Sequence, residues 1–446
     1  MPTHASKTAA AQTRRGFRGA WEALVGAWTP TIPRRRGRKP EVPPEDLLAA
    51  LTYHALQPGG TLGQHFGQLF TRSFADSSWS DRRVRLPWDV FIDLMRHVLR
   101  PRATRRQHPS AFWSDLRLLA LDGTQFSLRN APAIRQATRK ARTRRGLAAF
   151  AKMTVAVLLE LGTHNPIAAA IGRASESEWA LGQRLLTQIP PRALLLADRL
   201  YGVPVVMAAA LDACEAVGSH LLWRARRPPR SRIDRRLPDG SALVTLHVSR
   251  KTRSPYAGRR LTVREIRATI RRRGNRRQVL RLWTTLLDPQ QASAADLVAL
   301  YTRRWEHELY FRELKRDLRR TALLQSQTVD TAAQEIAAIV LASALLATER
   351  AAVSAGHGPP RRLSFPALLH LVQPMWLVVQ LGHGVLTDAQ VQVMLRRGYQ
   401  QLRQCLIPER PSRSYPRAVR QPLQHWPRAL DATPSPIPHV TVLKRW

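Results

Sequence analysis

The chain has 446 residues, 44% of them hydrophobic, so its length allows two to four folded regions and its composition excludes wholesale disorder. Lysine and arginine number 71 against 31 aspartates and glutamates, which gives a formal net charge of +40. A chain so basic repels itself unless a polyanion neutralises it, so nucleic acid is the first expected partner and an anionic membrane surface the second.

The N-terminal part of the chain predicts helices only. Residues 1–42 are polar and basic and predict a flexible arm with a short helix near Trp21–Trp28. They contain no apolar leader, so no secretory signal is expected. Residues 43–112 predict a helical DNA-binding region, because apolar residues recur with helical spacing in three stretches. These stretches are 43–56, 62–74 and 88–99.

The pattern changes at Leu116, where an apolar run leads to Asp122-Gly123, a turn signal that predicts the end of a strand. Two more strands are predicted after this one, and then a helix that begins with a capping box of Ser175 and Glu178. The further predicted elements are strands at Lys152–Gly162, Asn165–Arg173, Ala193–Asp198 and Ser219–Arg226, and helices at 175–189 and Val203–Val217. Three strands, helix, strand, helix, strand predict a mixed α/β core over residues 113–226.

The C-terminal half interrupts and then completes this core. Residues 227–289 predict a β-rich insertion with three strands, at Ala242–Arg250, Arg260–Ile270 and Gln278–Asp288. Residues 290–350 return to long helical patterns and form the second part of the core. The apolar run Ile336–Thr348 is too short for a membrane span and predicts a buried helix. Residues 351–446 predict a helical C-terminal region and a Pro/Arg-rich tail.

Two aspartates stand where apolar strands meet their following turns, in a chain with few acids. Asp122 follows LRLLAL, and Asp198 follows ALLLA. If the two strands are parallel neighbours, both carboxylates project at one edge of the sheet, where open α/β sheets place their sites. A pair of divalent metal ions needs about three such hard oxygen donors. Either aspartate alone is equally typical of a residue that begins a turn.

A third acid lies in the segment YTRRWEHELYFRELKRDLRR. At about 100° per residue, four residues share a helical stripe of roughly 60°, whereas Glu306, Glu313 and Asp317 fall on the far side. The stripe consists of Tyr301, Arg304, Glu308 and Lys315. A carboxylate beside two cations and a phenol suits the binding of a scissile phosphate and its metal. An ordinary i,i+4 ion pair on a solvated face is the alternative interpretation.

The spacing Tyr-x2-Arg-x3-Glu-x6-Lys is complete here, and it resembles the signature of the DDE transposases of the fourth insertion-sequence family. The segments LDGT, LLLADRLYG and LWTTLLDP resemble that family as well, as do Trp305 and Phe311 beside the signature glutamate. The resemblance covers roughly Pro43 to Arg350. One departure is Leu200, where glycine is common in relatives.

The resemblance implies a ribonuclease H-like core and two Mg2+ ions, with Mn2+ as a substitute, held by Asp122, Asp198 and Glu308. It further implies that the freed 3′ hydroxyl attacks the opposite strand and then target DNA. Phosphate binding is implied for Tyr301, Arg304 and Lys315.

Contacts with DNA bases and backbone are predicted outside the signature. The same resemblance makes Trp283 a candidate contact for a flipped base, although a tryptophan in an apolar strand is more often a core residue. The basic runs Arg34–Lys39, Arg139–Arg145 and Arg271–Arg277 are candidate backbone contacts, or equally solvated loops.

The partners that the resemblance implies are double-stranded DNA, as terminal inverted repeats and as target, and a second copy of the chain when two ends are paired. No membrane partner is expected, because the charge is spread along the chain rather than concentrated on one amphipathic helix. A GC-rich coding sequence is the alternative explanation for part of the arginine excess. With only Cys214 and Cys405, the chain suits a reducing bacterial cytoplasm, associated with the nucleoid. The alternatives are a decayed or repurposed protein that binds DNA ends without cutting, and a metal-dependent nuclease on the same fold.

Overall fold

The computed structural model describes residues 16–32, 41–70, 75–143, 146–173, 175–226, 232–271, 278–318, 321–408 and 439–442. The chain divides into two compact units, which are described separately. Unit 1 comprises residues 1–113, 121–188 and 306–407, and unit 2 comprises residues 114–120, 189–305 and 408–446.

Unit 1 begins with a group of helices, as the periodic spacing of their apolar residues predicts. They are α1 (Phe17–Val25), α2 (Pro44–Leu56), α3 (Leu62–Phe70), α4 (Asp76–Arg85) and α5 (Trp88–Val98). The predicted helical character of the N-terminal region is therefore confirmed. It missed α4, whose sequence DSSWSDRRVR buries only Trp79 and so carries almost no apolar stripe.

The α/β part of unit 1 follows, with its strands in the order β6-β5-β2. Its elements are β1 (Phe112–Trp113), β2 (Leu116–Ser127), α6 (Pro132–Ala137), β3 (Arg142–Thr143), β4 (Gly146–Leu147), β5 (Lys152–Glu160), β6 (Asn165–Ile171) and α7 (Glu178–Leu185). β5 and β6 pair antiparallel, and every residue of β5 after Lys152 is buried. The N-cap of α7 is Ser177, which accepts from the Ala180 amide, rather than the predicted Ser175.

The C-terminal helices of unit 1 complete its core. They are α10 (Trp305–Arg312), α11 (Val329–Ser354), α12 (Phe365–Leu381) and α13 (Asp388–Gln404); the first residue of α10 belongs to unit 2. α11 packs against α2, α5 and β6. By length and composition α11 could cross a membrane, but 83% of its most apolar window is buried inside the protein. It is therefore the core helix that the run Ile336–Thr348 predicts.

Unit 2 contains the other half of β2 and the sheet order β2-β7-β8-β12-β11-β10-β9. Its elements are β7 (Ala193–Ala197), α8 (Pro204–Glu215), β8 (His220–Arg224), β9 (Arg232–Arg236), β10 (Ala242–His247), β11 (Arg260–Arg271), β12 (Gln278–Thr284), α9 (Ala294–Tyr301) and β13 (His439–Val442). β7 is buried throughout and pairs parallel with β8.

The predicted β-rich insertion is confirmed as the strands β9–β12, one more than predicted. β12 pairs antiparallel with β8, so the insertion extends the core sheet of unit 2. β13, from the tail, pairs with the free edge of β11 at residues 268–271. The α/β class and the helical N- and C-terminal regions are confirmed as well. The strand order agrees with the ribonuclease H-like core that the resemblance implies.

Candidate active site

Asp122 lies within β2, not at its end, because β2 continues to Ser127. The Asp-Gly pair therefore does not form the predicted turn. The next residue of β2, Gly123, contacts two acidic side chains. The Gly123 amide donates to Asp122 Oδ1 at 2.9 Å. A Cβ on Gly123 would lie 2.2 Å from Cγ of Glu178, so the glycine makes room for the Glu178 side chain.

Asp198 directly follows β7, as predicted. Its Oδ1 accepts from the Leu200 amide at 2.6 Å, so the departure from glycine at position 200 keeps a backbone donor for this carboxylate. The turn closes at Gly202, whose carbonyl accepts from the Arg226 amide at 2.9 Å. Neighbouring backbone thus holds one oxygen of Asp198, as it holds one oxygen of Asp122.

The signature segment is not the single regular helix that the 100° spacing assumes. A 3-10 turn at Thr302–Arg304 separates α9 from α10, and a π-helical turn at Glu313–Leu318 follows α10. In a 3-10 turn residues three apart eclipse one another, so Tyr301 and Arg304 come onto one line. The angular positions of the stripe are corrected accordingly, while its four residue types are unchanged.

Unit 2 brings four polar side chains together around the end of β7. The Tyr301 hydroxyl donates to the Ala197 carbonyl at 3.2 Å, next to Asp198. Burial raises the pKa of Tyr301 to about 12; the charge of Asp198 adds to this, whereas Arg304 and Arg224 oppose it. The phenol is therefore a neutral hydrogen-bond donor at ordinary pH. Arg224, the last residue of β8, was not predicted as a member of this group.

We expect Tyr301→Phe to lower both stability and cleavage. The Ala197 carbonyl loses a buried hydrogen bond, which costs about 1–2 kcal/mol of unfolding free energy. Arg304 and the residues after β7 lose a fixed neighbour, so the DNA cleavage that the sequence resemblance implies should fall by roughly tenfold. Thermal unfolding and a DNA-end cleavage assay measure the two effects. Unchanged stability with reduced cleavage would mean that the phenol acts on the substrate alone.

Unit 1 holds the rest of the signature. Glu308 lies half-buried on α10, and Lys315 lies half-buried in the π turn. The Lys315 ammonium is 5.6 Å from the centroid of the Phe126 ring on β2. Phe126 and Asp122 are four residues apart and so share a face of that strand. The structure thus brings Lys315 over the face of β2 that carries Asp122.

Two tryptophans near the signature differ in exposure. Trp283 is fully buried in β12, and its indole N–H donates to Glu265 at 2.9 Å. This favours the core interpretation over the flipped-base contact, because a base cannot stack on a buried ring. Trp305, at the start of α10, is 54% exposed, so its ring is accessible from solvent.

Two further predictions concern a metal-binding group and the basic runs. Within the described ranges, no three His, Cys, Asp or Glu side chains form a group that could hold a metal ion. Of the basic runs, Arg34–Lys39 lies outside the described residues, as do positions 144–145 and 272–277 of the other two.

Comparisons with known proteins give three findings. The sequence model of the transposase DDE domain family matches residues 113–345, just over half of the chain. The chain is similar to the transposase InsG for insertion sequence element IS4 of Escherichia coli K12, with 27% identity over 329 residues, 72% of this chain and 71% of that protein. A piggyBac transposase synaptic complex with hairpin DNA, solved by cryo-electron microscopy, aligns with a TM-score of 0.42 and 11% identity over 90% of this chain and 83% of that one.

Proposed function

Because the chain belongs to the transposase DDE domain family, we propose that it cleaves DNA at insertion-sequence ends and transfers the freed strand into target DNA, with Asp122, Asp198 and Glu308 as the catalytic carboxylates. The observation that carries this proposal is the matched span. Residues 113–345 include all three acids and the complete signature Tyr-x2-Arg-x3-Glu-x6-Lys.

The donor chemistry of these residues fits two divalent ions, Mg2+ in the first place and Mn2+ as a substitute. All three are carboxylates, which supply the hard oxygen ligands that Mg2+ prefers. Backbone amides already orient one oxygen each of Asp122 and Asp198. When bound, the ions would supply an activated water and charge stabilisation for the leaving 3′ oxygen. We propose that the ions complete the site by binding these carboxylates.

The side chains of the signature bind and orient the DNA phosphates. Arg304 offers a planar, bidentate donor for phosphate oxygens, and Lys315 offers a point charge over the Asp122 face of β2. The Tyr301 hydroxyl donates to the Ala197 carbonyl, so we propose that its main role is to orient Arg304 and Asp198. Direct contact with a DNA phosphate is its secondary role. No covalent protein–DNA intermediate is needed, because the freed 3′ hydroxyl is itself the next nucleophile.

We further propose two copies of the chain across paired DNA ends, in a bacterial cytoplasm. The net charge of +40 supports DNA as the partner, because the DNA phosphates neutralise this positive charge and so reduce the electrostatic self-repulsion of the chain. A binder of DNA ends that has lost cleavage remains the second candidate, and a nuclease that hydrolyses without joining is the third.

The test is purified protein with Mg2+ and a labelled element end, with the ends taken from the DNA that flanks the gene. We expect a free 3′ hydroxyl at the element boundary and, with target DNA, joined products. A shifted band without cutting would identify a binding protein, and cutting without joined products would identify a nuclease. Either result would overturn the proposal.

We expect Arg304→Ala to weaken the complex with the element end by about tenfold or more, since a hydrogen bond to a charged group contributes about 1.5–3 kcal/mol. The loss should be the same at every Mg2+ concentration, because Arg304 binds phosphate and not metal. The lifetime of the complex, followed by gel shift, measures it. Arg397→Ala, which removes an exposed arginine of α13, is the control. Rescue by added Mg2+ would contradict the assignment.

A further inference from the structure

The face of α10 opposite Glu308 is held by buried charges. Glu306 and Glu313 are seven residues apart, about 20° short of two full turns, so they share one face of the helix. Glu308 lies roughly 160° from Glu306, on the other side. We call the group that meets this face the buried anchor: Glu306, Glu313, His164 and Arg350. All four residues belong to unit 1 and are at most 7% exposed.

The contacts of the buried anchor are close and directional. Glu306 Oε2 accepts from the Gly162 amide at 2.7 Å. Glu313 Oε2 lies 3.0 Å from His164 Nδ1, within hydrogen-bond distance, and Glu313 Oε1 accepts a hydrogen bond from Arg350 Nη1 at 3.0 Å. Arg350 also donates to the Leu363 carbonyl at 2.6 Å, which ties the anchor to the segment before α12. The signature segment is thus fastened at two points, one on each side of Glu308.

The turn between β5 and β6 is shaped to receive these two glutamates. Gly162 has a φ of +86°, and a Cβ there would lie 2.9 Å from the Ser110 carbonyl oxygen. His164 has a φ of +56°, which is uncommon for a residue with a side chain. Such strained positions persist only where the surrounding contacts over-determine them. The contacts of His164 with Glu313 and, at 3.9 Å, with Glu306 do so here.

Stability alone does not explain why these charges are buried. Replacing a buried ion pair by apolar residues of similar size is often neutral or stabilising, so such pairs contribute little to folding. Burial by itself would raise the pKa of Glu313, but His164 and Arg350 outweigh it and the pKa is lowered. What directional bonds provide, and apolar contacts do not, is a fixed rotation and register of the helix.

Resting on the function proposed above, we infer that the buried anchor fixes the rotation at which α10 presents Glu308, and that Glu313 is therefore a positioning residue for metal binding. Glu313 is also the first residue of the π turn that carries Lys315. π turns inside α-helices occur frequently at functional sites. Residues that orient metal ligands commonly contribute about 10–100-fold to metal affinity, so the rotation needs a rigid support.

The experiment is Glu313→Gln, assayed for end cleavage over a range of Mg2+ concentrations alongside end binding and thermal unfolding. The amide keeps the size of the side chain and can still bond to Arg350. We expect the Mg2+ concentration for half-maximal cleavage to rise by about tenfold, as for other residues that orient metal ligands. Cleavage at saturating Mg2+ and end binding should stay within a few-fold. Asp330→Asn, which removes an exposed ion pair with Arg173, is the matched control.

A merely structural role predicts a different result, namely fewer active molecules with an unchanged half-maximal Mg2+ concentration. That result would overturn the inference. A second variant, Glu313→Leu with His164→Leu and Arg350→Met, replaces these three charged or polar side chains by apolar ones and leaves Glu306 in place. Wild-type stability with a raised Mg2+ requirement supports the inference, and wild-type Mg2+ dependence contradicts it. If the wild-type protein cuts at no Mg2+ concentration, the proposed function fails first.

Discussion

Glu308→Gln should abolish cleavage while DNA-end binding stays within about threefold. The amide has the size of the carboxylate but lacks its charge and one of its ligand oxygens, so the proposed site loses its third ligand. A loss of about 4 kcal/mol in transition-state stabilisation lowers the rate by about a thousandfold. Binding depends mainly on phosphate contacts along the DNA, which Glu308 does not make. Single-turnover cleavage and gel shift measure the two quantities.

The control for this experiment is Glu45→Gln, an exposed carboxylate in the first turn of α2. It makes the same chemical change away from the signature and should cut at the wild-type rate. Cleavage by Glu308→Gln at a normal rate would mean that the third metal ligand is another residue.

The second large effect is expected at Gly202, in the turn that follows Asp198. A Cβ at this position would lie 1.9 Å from the Arg224 carbonyl oxygen and 3.0 Å from the Ala225 Cα, both of them backbone atoms. Gly202→Ala therefore forces the turn and the end of β8 apart, at about 3 kcal/mol or more of unfolding free energy. We expect a melting temperature lower by roughly 5–10 °C.

The same change should reduce cleavage by more than the loss of folded protein explains. Asp198 and Arg224 lie on the two segments that separate, and displacement of a catalytic group by about 1 Å can cost a hundredfold in rate. Cleavage is therefore measured per folded molecule, below the melting temperature. Gly59→Ala, at a glycine with open space around it, is the matched control and should leave both properties unchanged. Unaltered cleavage in folded Gly202→Ala would show that the turn does not position Asp198.

Local sequence patterns were sufficient for most of the fold. The runs that became β5, β7 and β8 are apolar and bounded by turn residues, and α11 follows from its apolar composition and Thr328 cap. The sequence pattern did not predict α4, because this helix buries a single tryptophan. It did not predict β9, which is short and polar, or β13, which is distant in the chain from its partner β11. Such elements form because another helix or strand of the fold packs or pairs with them, and the spacing of apolar residues along the sequence does not show this.

The candidate site divides in the same way. Asp122 and Asp198 were predicted because each follows an apolar run, and the signature was predicted because its residue types stand at fixed offsets. The chemistry of phosphate and metal binding requires those side chains. Their setting came from contacts between residues far apart in the chain. Tyr301 bonds to Ala197 across 104 positions, and Glu313 bonds to His164 across 149. The continuation of β2 through Asp122 and the 3-10 and π turns of the signature likewise could not be predicted from the local sequence pattern.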